Sequence, residues 1–266
     1  MRHVSFEPPD AGRGAAQAGL VDRVELEAPE TGGDHDHEDA PELAAAVGHL
    51  LARARADGAD AVTIEAEPVS PALAAAVQAA GLELVRTTLQ LRRSLPIQAD
   101  VRGHAPDIVT RAFRVGTDDA AWLALNNRAF AWHPDQSERT RADLAALQAE
   151  RWFRPDGFLV HEGIDGALDG FCWTKIHAGH RPPLGEIYVI GVDPHDHGRG
   201  LGRALVLAGL DWLASQGLTE AMLYVEADNE PARHLYRSLG FTEHHAHQWW
   251  RRVLGGPDRS PPDSRR

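Results

Sequence analysis

The sequence predicts an α/β protein in which a mixed central sheet is flanked by helices, preceded by a smaller and partial unit of the same kind. Three observations carry that expectation. Strand-like and helix-like apolar periods alternate through most of the chain. A β-branched run from Glu186 to Val192 passes through a glycine-rich turn straight into an amphipathic helix. The aromatic residues crowd into the later part, with all seven tryptophans at or after Trp122, so the stronger core belongs there.

Residues 1–40 mix Pro, Gly, Asp and His with little periodicity and are expected to form a disordered acidic segment. Within them Asp34-His35-Asp36-His37-Glu38-Asp39 resembles a metal tract, yet nothing ordered flanks it, and solvation is the expected state. Between Pro41 and Pro96 a pattern emerges. Leu43, Val47, Leu50 and Leu51 recur at helical spacing, Ala61–Ile64 reads as strand, Pro71–Ala80 as helix and Leu82–Leu91 as strand. Helix, strand, helix, strand is half a domain, assigned to 41–96 and followed by a connector at 97–105.

A fuller series occupies 106–253, and 254–266 reads as a disordered tail. Ile108–Phe113 is strand-like. Thr117, Asp118 and Asp119 offer a cap and favourable first-turn charge for a helix reaching about Phe130. A second helix is expected from about Arg139 to Glu150. Phe158–His161 and Gly170–His177 suit a hairpin, and Glu186–Val192 has the content of a central strand.

The 266 residues carry a formal charge of -12, which opposes nonspecific binding to nucleic acid or to an anionic membrane. Any anionic ligand needs a local site. With no run of eighteen apolar residues and no apolar core in the opening MRHVSFEPPD, a cytoplasmic protein is expected. The single cysteine, Cys172, rules out an intrachain disulfide framework and reads as a buried small hydrophobe between Phe171 and Trp173.

That local site is the turn. Leu201, Ala204, Leu205, Ala208, Trp212 and Leu213 follow helical spacing without a break, so the strand ending at Val192 enters a helix through Gly198-Arg199-Gly200-Leu201-Gly202. Glycines there allow close backbone approach, and free first-turn N–H groups attract an anion such as a pyrophosphate. Arg199 and Arg203 add positive charge. On this reading a carboxylate placed at Gly200 expels the anion and leaves the domain folded.

Val192-Asp193-Pro194 followed by His197-Gly198-Arg199-Gly200-Leu201-Gly202 resembles motif A of the GNAT acetyltransferases, with His197 where Gln or Arg is usual. Asn229 and Tyr236-Arg237-Ser238-Leu239-Gly240-Phe241 resemble the second half of that domain. The resemblance implies the GNAT (acyl-CoA N-acyltransferase) fold and acetyl-CoA as co-substrate. It places Ile190, Gly191, Val192 and His197 through Arg203 (including Gly198, Arg199, Gly200, Leu201 and Gly202) against that molecule. Asn229, Glu230, Ala232, Arg233 and His234 are expected there too.

A closer resemblance covers essentially all of residues 106–250. Asn126–Gln136, Trp152–Gly157, Trp173-Thr174-Lys175, Gly185–Pro194 and Leu223-Tyr224-Val225-Glu226 are similar to the catalytic domain of the mycothiol synthase family, built from two GNAT domains. That family acetylates the cysteinyl amine of cysteinyl-glucosaminyl-inositol, a small-molecule acceptor. Residues 41–96 resemble the back half of its non-catalytic domain, with no recognisable motif A. An acceptor of another kind (a protein N-terminus, a polyamine, an aminoglycoside) and a non-catalytic acyl-CoA-binding module both stay open.

The same resemblance assigns roles. Glu186, on the strand entering the turn, is placed as the base an ammonium needs before it can attack, its proton affinity helped by partial burial. Tyr236 is placed as the acid that protonates the departing CoA thiolate. Backbone N–H groups of Ile190 and Val192 are expected to hold the thioester oxygen. Asp135, Lys175, Glu186 and Tyr224 match acceptor contacts, with Asp135 one methylene shorter than the Glu of the pattern. His244, His245 and His247 alternate on a strand with no nearby Asp or Cys partner, so solvent or core is expected for them and no metal is assigned. A monomer without nucleic-acid or membrane partners is expected.

Overall fold

The computed structural model describes residues 2–7, 21–25, 40–103, 105–131 and 138–254. Its strands are β1 (Arg2–Glu7), β2 (Val21–Glu25), β3 (Ala61–Ala66), β4 (Glu83–Ser94), β5 (Thr110–Ala112), β6 (Phe158–Glu162), β7 (Leu168–His177), β8 (Leu184–Val192), β9 (Glu220–Glu226) and β10 (Thr242–Val253). The helices are α1 (Ala40–Ala56), α2 (Pro71–Ala79), α3 (Ala99–Arg102), α4 (Asp119–Ala129), α5 (Arg141–Gln148), α6 (Leu201–Ser215) and α7 (Glu230–Ser238). Among the described residues no helix is long and apolar enough to cross a membrane.

The chain divides into two compact units, residues 1–89 with 245–266 and residues 90–244. The boundaries fall inside β4 and β10 rather than in the stretch 97–105, which carries the short helix α3. In the first unit the strands run β2-β1-β3-β10, all antiparallel. Val47, Leu50, Leu51 and Ala54 of α1 and Leu73, Ala76 and Val77 of α2 bury against Val62 and Ile64, and Trp250 completes the core. Ser70 caps α2 by accepting from the Leu73 N–H at 3.2 Å, with Pro71 at the first turn.

Two expectations are corrected here. Residues 1–40 contain strands at Arg2–Glu7 and Val21–Glu25, because β3 offers an edge that a local periodicity cannot reveal. The acidic run 34–39 and the tail beyond Leu254 lie outside the described residues. The histidines of β10 have acidic partners after all: His245 meets Glu67 at 2.6 Å and His247 meets Glu65 at 2.9 Å, pairs made across the sheet rather than along the chain.

In the second unit the order is β4-β9-β8-β7-β6-β5, and the β8–β9 pair is parallel in an otherwise antiparallel run from β8 to β5. Helix α6 lies on one face. It comes so close that a Cβ on Gly209 would sit 2.5 Å from Cys172 Sγ, so only glycine fits. Cys172 is buried there, and that burial pushes its thiol up to about 12, leaving an unreactive packing group as expected. Arg203 of α6 reaches Ser238 of α7 at 2.7 Å, which puts α7 on the same side.

The opposite face is covered by α4 and α5 over an aromatic core. Phe158 stacks on Phe113 at 4.2 Å and on Trp173 at 4.3 Å, while Trp122 meets Phe158, Phe171 and Trp173 edge-on. Thr140 and Asp143 form a capping box that starts α5. Asp118 stands at the cap position of α4 but makes no cap hydrogen bond. Its carboxylate instead takes two bonds from Arg111, at 2.6 and 3.0 Å, and one from the Arg114 N–H.

Candidate active site

The site begins where β8 and β9 part. Their parallel pairing covers only Gly185/Ala221, Glu186/Met222 and Ile187/Leu223, whereas β8 continues to Val192 and β9 to Glu226. Tyr188 is the extra residue of a bulge, since Thr174 pairs with Ile187 and Trp173 with Val189. Beyond it, one edge of β8 has no strand beside it among the described residues.

The register shows which groups face that opening. The Asp193 N–H donates to the Asp169 carbonyl at 2.8 Å, so this is the hydrogen-bonded kind of antiparallel pair. Val192 opposite Gly170 and Ile190 opposite Cys172 are then the other kind, with N–H and C=O turned away from β7 and toward the gap. The His197 ring lies 3.2 Å from the Val192 carbonyl and covers that end of it.

Alternation sorts the side chains onto two faces. Gly185, Ile187 and Cys172 face α6, as the contacts a Cβ at Gly185 or Gly209 would make with Leu213, Ile187 and Cys172 require. Glu186, Lys175, Met222 and Tyr224 therefore share the opposite face. Glu186 is 6% exposed, and its Oε2 lies 2.7 Å from His177 Nε2. Lys175 sets its ammonium 4.7 Å from the Trp152 ring centre and 5.2 Å from that of Tyr188, a cation held between two aromatic faces. Burial raises the Tyr188 phenol. The Tyr224 hydroxyl accepts from Gln90 at 2.6 Å, and Asp135 lies outside the described residues.

On the α6 face Gly200 caps the helix in the left-handed region, φ 81°, and among the described residues no side chain makes a cap hydrogen bond to the first turn. Gly198 has φ 78°. The arginines are not equivalent. Arg199 is exposed and meets Asp196 at 2.6 Å, while Arg203 spends its donors on the carbonyls of Val101 and Arg102 and on Ser238. Asn229 caps α7 through the Ala232 N–H at 3.1 Å, and Arg233 ties Ala227, Glu230 and Glu243 together. Tyr236 is 7% exposed. Burial, helped by the nearby Cys172, pushes its phenol well above the usual range, so it stays protonated at neutral pH.

Comparison with known proteins follows the same lines. Residues 121–241 match the Acetyltransferase (GNAT) family. A mycothiol acetyltransferase of Kocuria rhizophila is 43% identical over 227 residues, spanning 81% of this chain and 72% of that protein. The chain belongs to the mycothiol acetyltransferase family of GNAT proteins. A second member, from Acidimicrobium ferrooxidans, is 49% identical over 172 residues, 64% of this chain and 55% of that protein. A tandem GNAT protein from the clavulanic acid biosynthesis pathway shares the fold, with a TM-score of 0.58 at 19% identity over 80% of this chain and 70% of its own.

Within this mycothiol acetyltransferase family chain, Glu186 lies in the paired stretch of β8, Ile190 and Val192 lie beside the gap, and the α6 turn follows the end of the same strand. Sequence reasoning overlooked His177, Trp152 and Tyr188. His177 had no motif of its own, and Tyr188 reaches the Lys175 side only through the bulge, which needs the β7 register to be seen. Among the described residues no group of three His, Cys, Asp or Glu is placed to hold a metal ion.

Asp193 anchors the turn. Burial alone would raise its carboxyl, but the His195 N–H, the Arg128 guanidinium at 2.7 Å and the His195 ring outweigh it and hold it at about 2. A carboxyl lowered in the folded state stabilises it above the unfolded value of 3.8 and loses that contribution as pH falls toward 2. The difference corresponds to about 2 kcal/mol. Asp193→Asn is expected to lower the urea midpoint at neutral pH, with the gap to the unmodified protein closing as pH falls from about 5 to about 2. A pH-independent gap would show that the carboxylate's charge is not what matters.

Proposed function

We propose that the chain moves acetyl from acetyl-CoA to the cysteinyl amine of cysteinyl-glucosaminyl-inositol, giving mycothiol. The observation carrying this reading is the parting of β8 and β9, with a buried carboxylate on one face and a glycine-capped helix start and a buried phenol on the other. Reactive groups on opposite faces can meet only through that gap. Backbone N–H groups of the α6 turn and Arg199 would hold the pyrophosphate, a cradle kept clear of side chains at Gly198, Gly200 and Gly202. Asn229, Glu230, Ala232, Arg233 and His234 would act through the placement of α7.

Acetyl-CoA supplies an activated acyl group. Glu186 takes one proton from the acceptor ammonium, freeing the lone pair that attacks. The Ile190 and Val192 N–H groups hold the acyl oxygen as charge develops on it. The C–S bond breaks as Tyr236 gives its proton to the departing sulfur, and the second proton shed by the attacking nitrogen returns to the phenolate. Its high proton affinity is matched to a thiolate that would be equally desolvated, since burial raises both. No covalent enzyme intermediate is needed.

The Trp152–Lys175–Tyr188 arrangement supports a polyhydroxylated acceptor, because aromatic faces pack against sugar C–H surfaces while the ammonium donates to hydroxyls. Tyr224 and Asp135 complete the set. The protein works as a cytoplasmic monomer on this small molecule, without a metal and without nucleic-acid or membrane partners.

CoA release measured with cysteinyl-glucosaminyl-inositol, a polyamine, an aminoglycoside and a peptide N-terminus tests the acceptor. The first is expected to give a kcat/KM at least about a hundredfold above the others. A better rate with any of the others would overturn the assignment, and no release with all four would favour a binding module. Tyr236→Phe is expected to lower kcat by about tenfold or more with little change in either KM, the signature of a group used at the transition state. Equal kcat would leave Tyr236 as packing.

A further inference from the structure

Glu186 is the least obvious place to keep a base. Its side chain is nearly buried, and a buried carboxylate without hydrogen bonds is costly. Strand geometry supplies an obvious partner, because Lys175 is its register neighbour on β7. A Lys–Glu pair would satisfy the carboxylate and also depress its proton affinity, which would spoil it as a base. The structure avoids that pairing. The Lys175 ammonium lies over Trp152 and Tyr188 and makes no ion pair with Glu186, while His177, two residues along the same face, reaches Oε2 instead.

We propose that His177 is the positioning residue of the base, its Nε2–H fixing Glu186 Oε2 at 2.7 Å so that Oε1 is left as the proton acceptor. The proposal rests on the reading of Glu186 given above. A neutral imidazole donor orients the carboxylate without adding a full positive charge to it. Oε1 takes no hydrogen bond among the described residues, so it is the oxygen free to receive the ammonium proton. The N–H bond of the ammonium breaks, the O–H bond at Oε1 forms, and His177 keeps its own proton throughout. The charged and titratable groups arranged about His177 are Glu186 on β8, Lys175 on its own strand and His180, whose ring stands edge-on at 5.7 Å.

The test uses the full chain with acetyl-CoA and cysteinyl-glucosaminyl-inositol, following CoA release from about pH 6 to about pH 9. His177→Phe is expected to lower kcat about tenfold to thirtyfold, with unchanged acetyl-CoA affinity by calorimetry and partial recovery at high pH, where the amine needs less help. His177→Gln, which keeps an N–H donor at the Nε2 position, is expected to restore most of the loss. In a Glu186→Gln background, His177→Phe should cost almost nothing more, because a positioning residue has nothing left to position. A wild-type kcat and pH profile in His177→Phe overturns the proposal, as does a Gln variant as slow as the Phe variant or a full additional loss in the double mutant. Should Glu186→Gln itself turn over normally, the base assignment falls first. Should it be slow while His177→Phe is normal, only the role of His177 falls.

Discussion

Glu186→Gln is expected to lower turnover by roughly a hundredfold or more near neutral pH while leaving acetyl-CoA affinity unchanged. Two structural facts make the substitution clean. The side chain lies on the face opposite α6, so it has no part in the pyrophosphate cradle. Glutamine keeps the shape, and its carbonyl oxygen can still accept from His177, so the pocket has no reason to collapse. What is lost is the capacity to take a proton. Raising the pH should recover part of the loss, because a growing share of the acceptor amine is already neutral. A deficit constant from pH 7 upward would mean that Glu186 positions the acceptor, and a wild-type rate at neutral pH would remove it from the chemistry.

Much of this arrangement was readable from local pattern. The apolar spacing from Leu201 to Leu213 gave α6 because a helix against a sheet must bury one stripe, and Gly185, Gly170 and Gly209 mark where it comes closest. The helix expected from about Arg139 to Glu150 is α5, begun by a local capping box of Thr140 and Asp143. The failures have one physical cause, which is that sheets are made by distant partners. The gap after Ile187/Leu223, the bulge at Tyr188, the pairing of His245 and His247 with Glu65 and Glu67, and the strands at Arg2–Glu7 and Val21–Glu25 all depend on register between segments far apart in sequence. Arg203 shows the same limit for side chains. Its place in the motif suggested an anion, while α3 and α7 supply three oxygens that claim it first.

Gly202→Asp is expected to weaken acetyl-CoA binding by roughly a hundredfold with an unchanged or slightly raised melting temperature. Gly200, the position that the sequence alone suggests, is a poor probe: its φ of 81° strains any side chain, and a Cβ there would meet Pro106 Cδ at 3.0 Å. Lost binding in Gly200→Asp could therefore reflect a damaged turn. Gly202 is helical, and a Cβ on it would find Val192 Cγ2 at 3.8 Å, an ordinary contact. An Asp in the first turn also suits the helix dipole, by about 0.3 to 1 kcal/mol, so folding should not suffer. The same carboxylate would lie close to the pyrophosphate charge. At about 5 Å and an effective dielectric near 20, the repulsion is about 3 kcal/mol, which is the hundredfold expected. Gly202→Asn, equal in shape and uncharged, should keep most of the affinity, and the Asp deficit should shrink as salt screens it. Calorimetric titration with acetyl-CoA at low and high ionic strength separates these effects: an Asp variant that binds like wild type removes the α6 turn as the pyrophosphate site, and an Asn variant as weak as the Asp variant makes crowding, not charge, the cause.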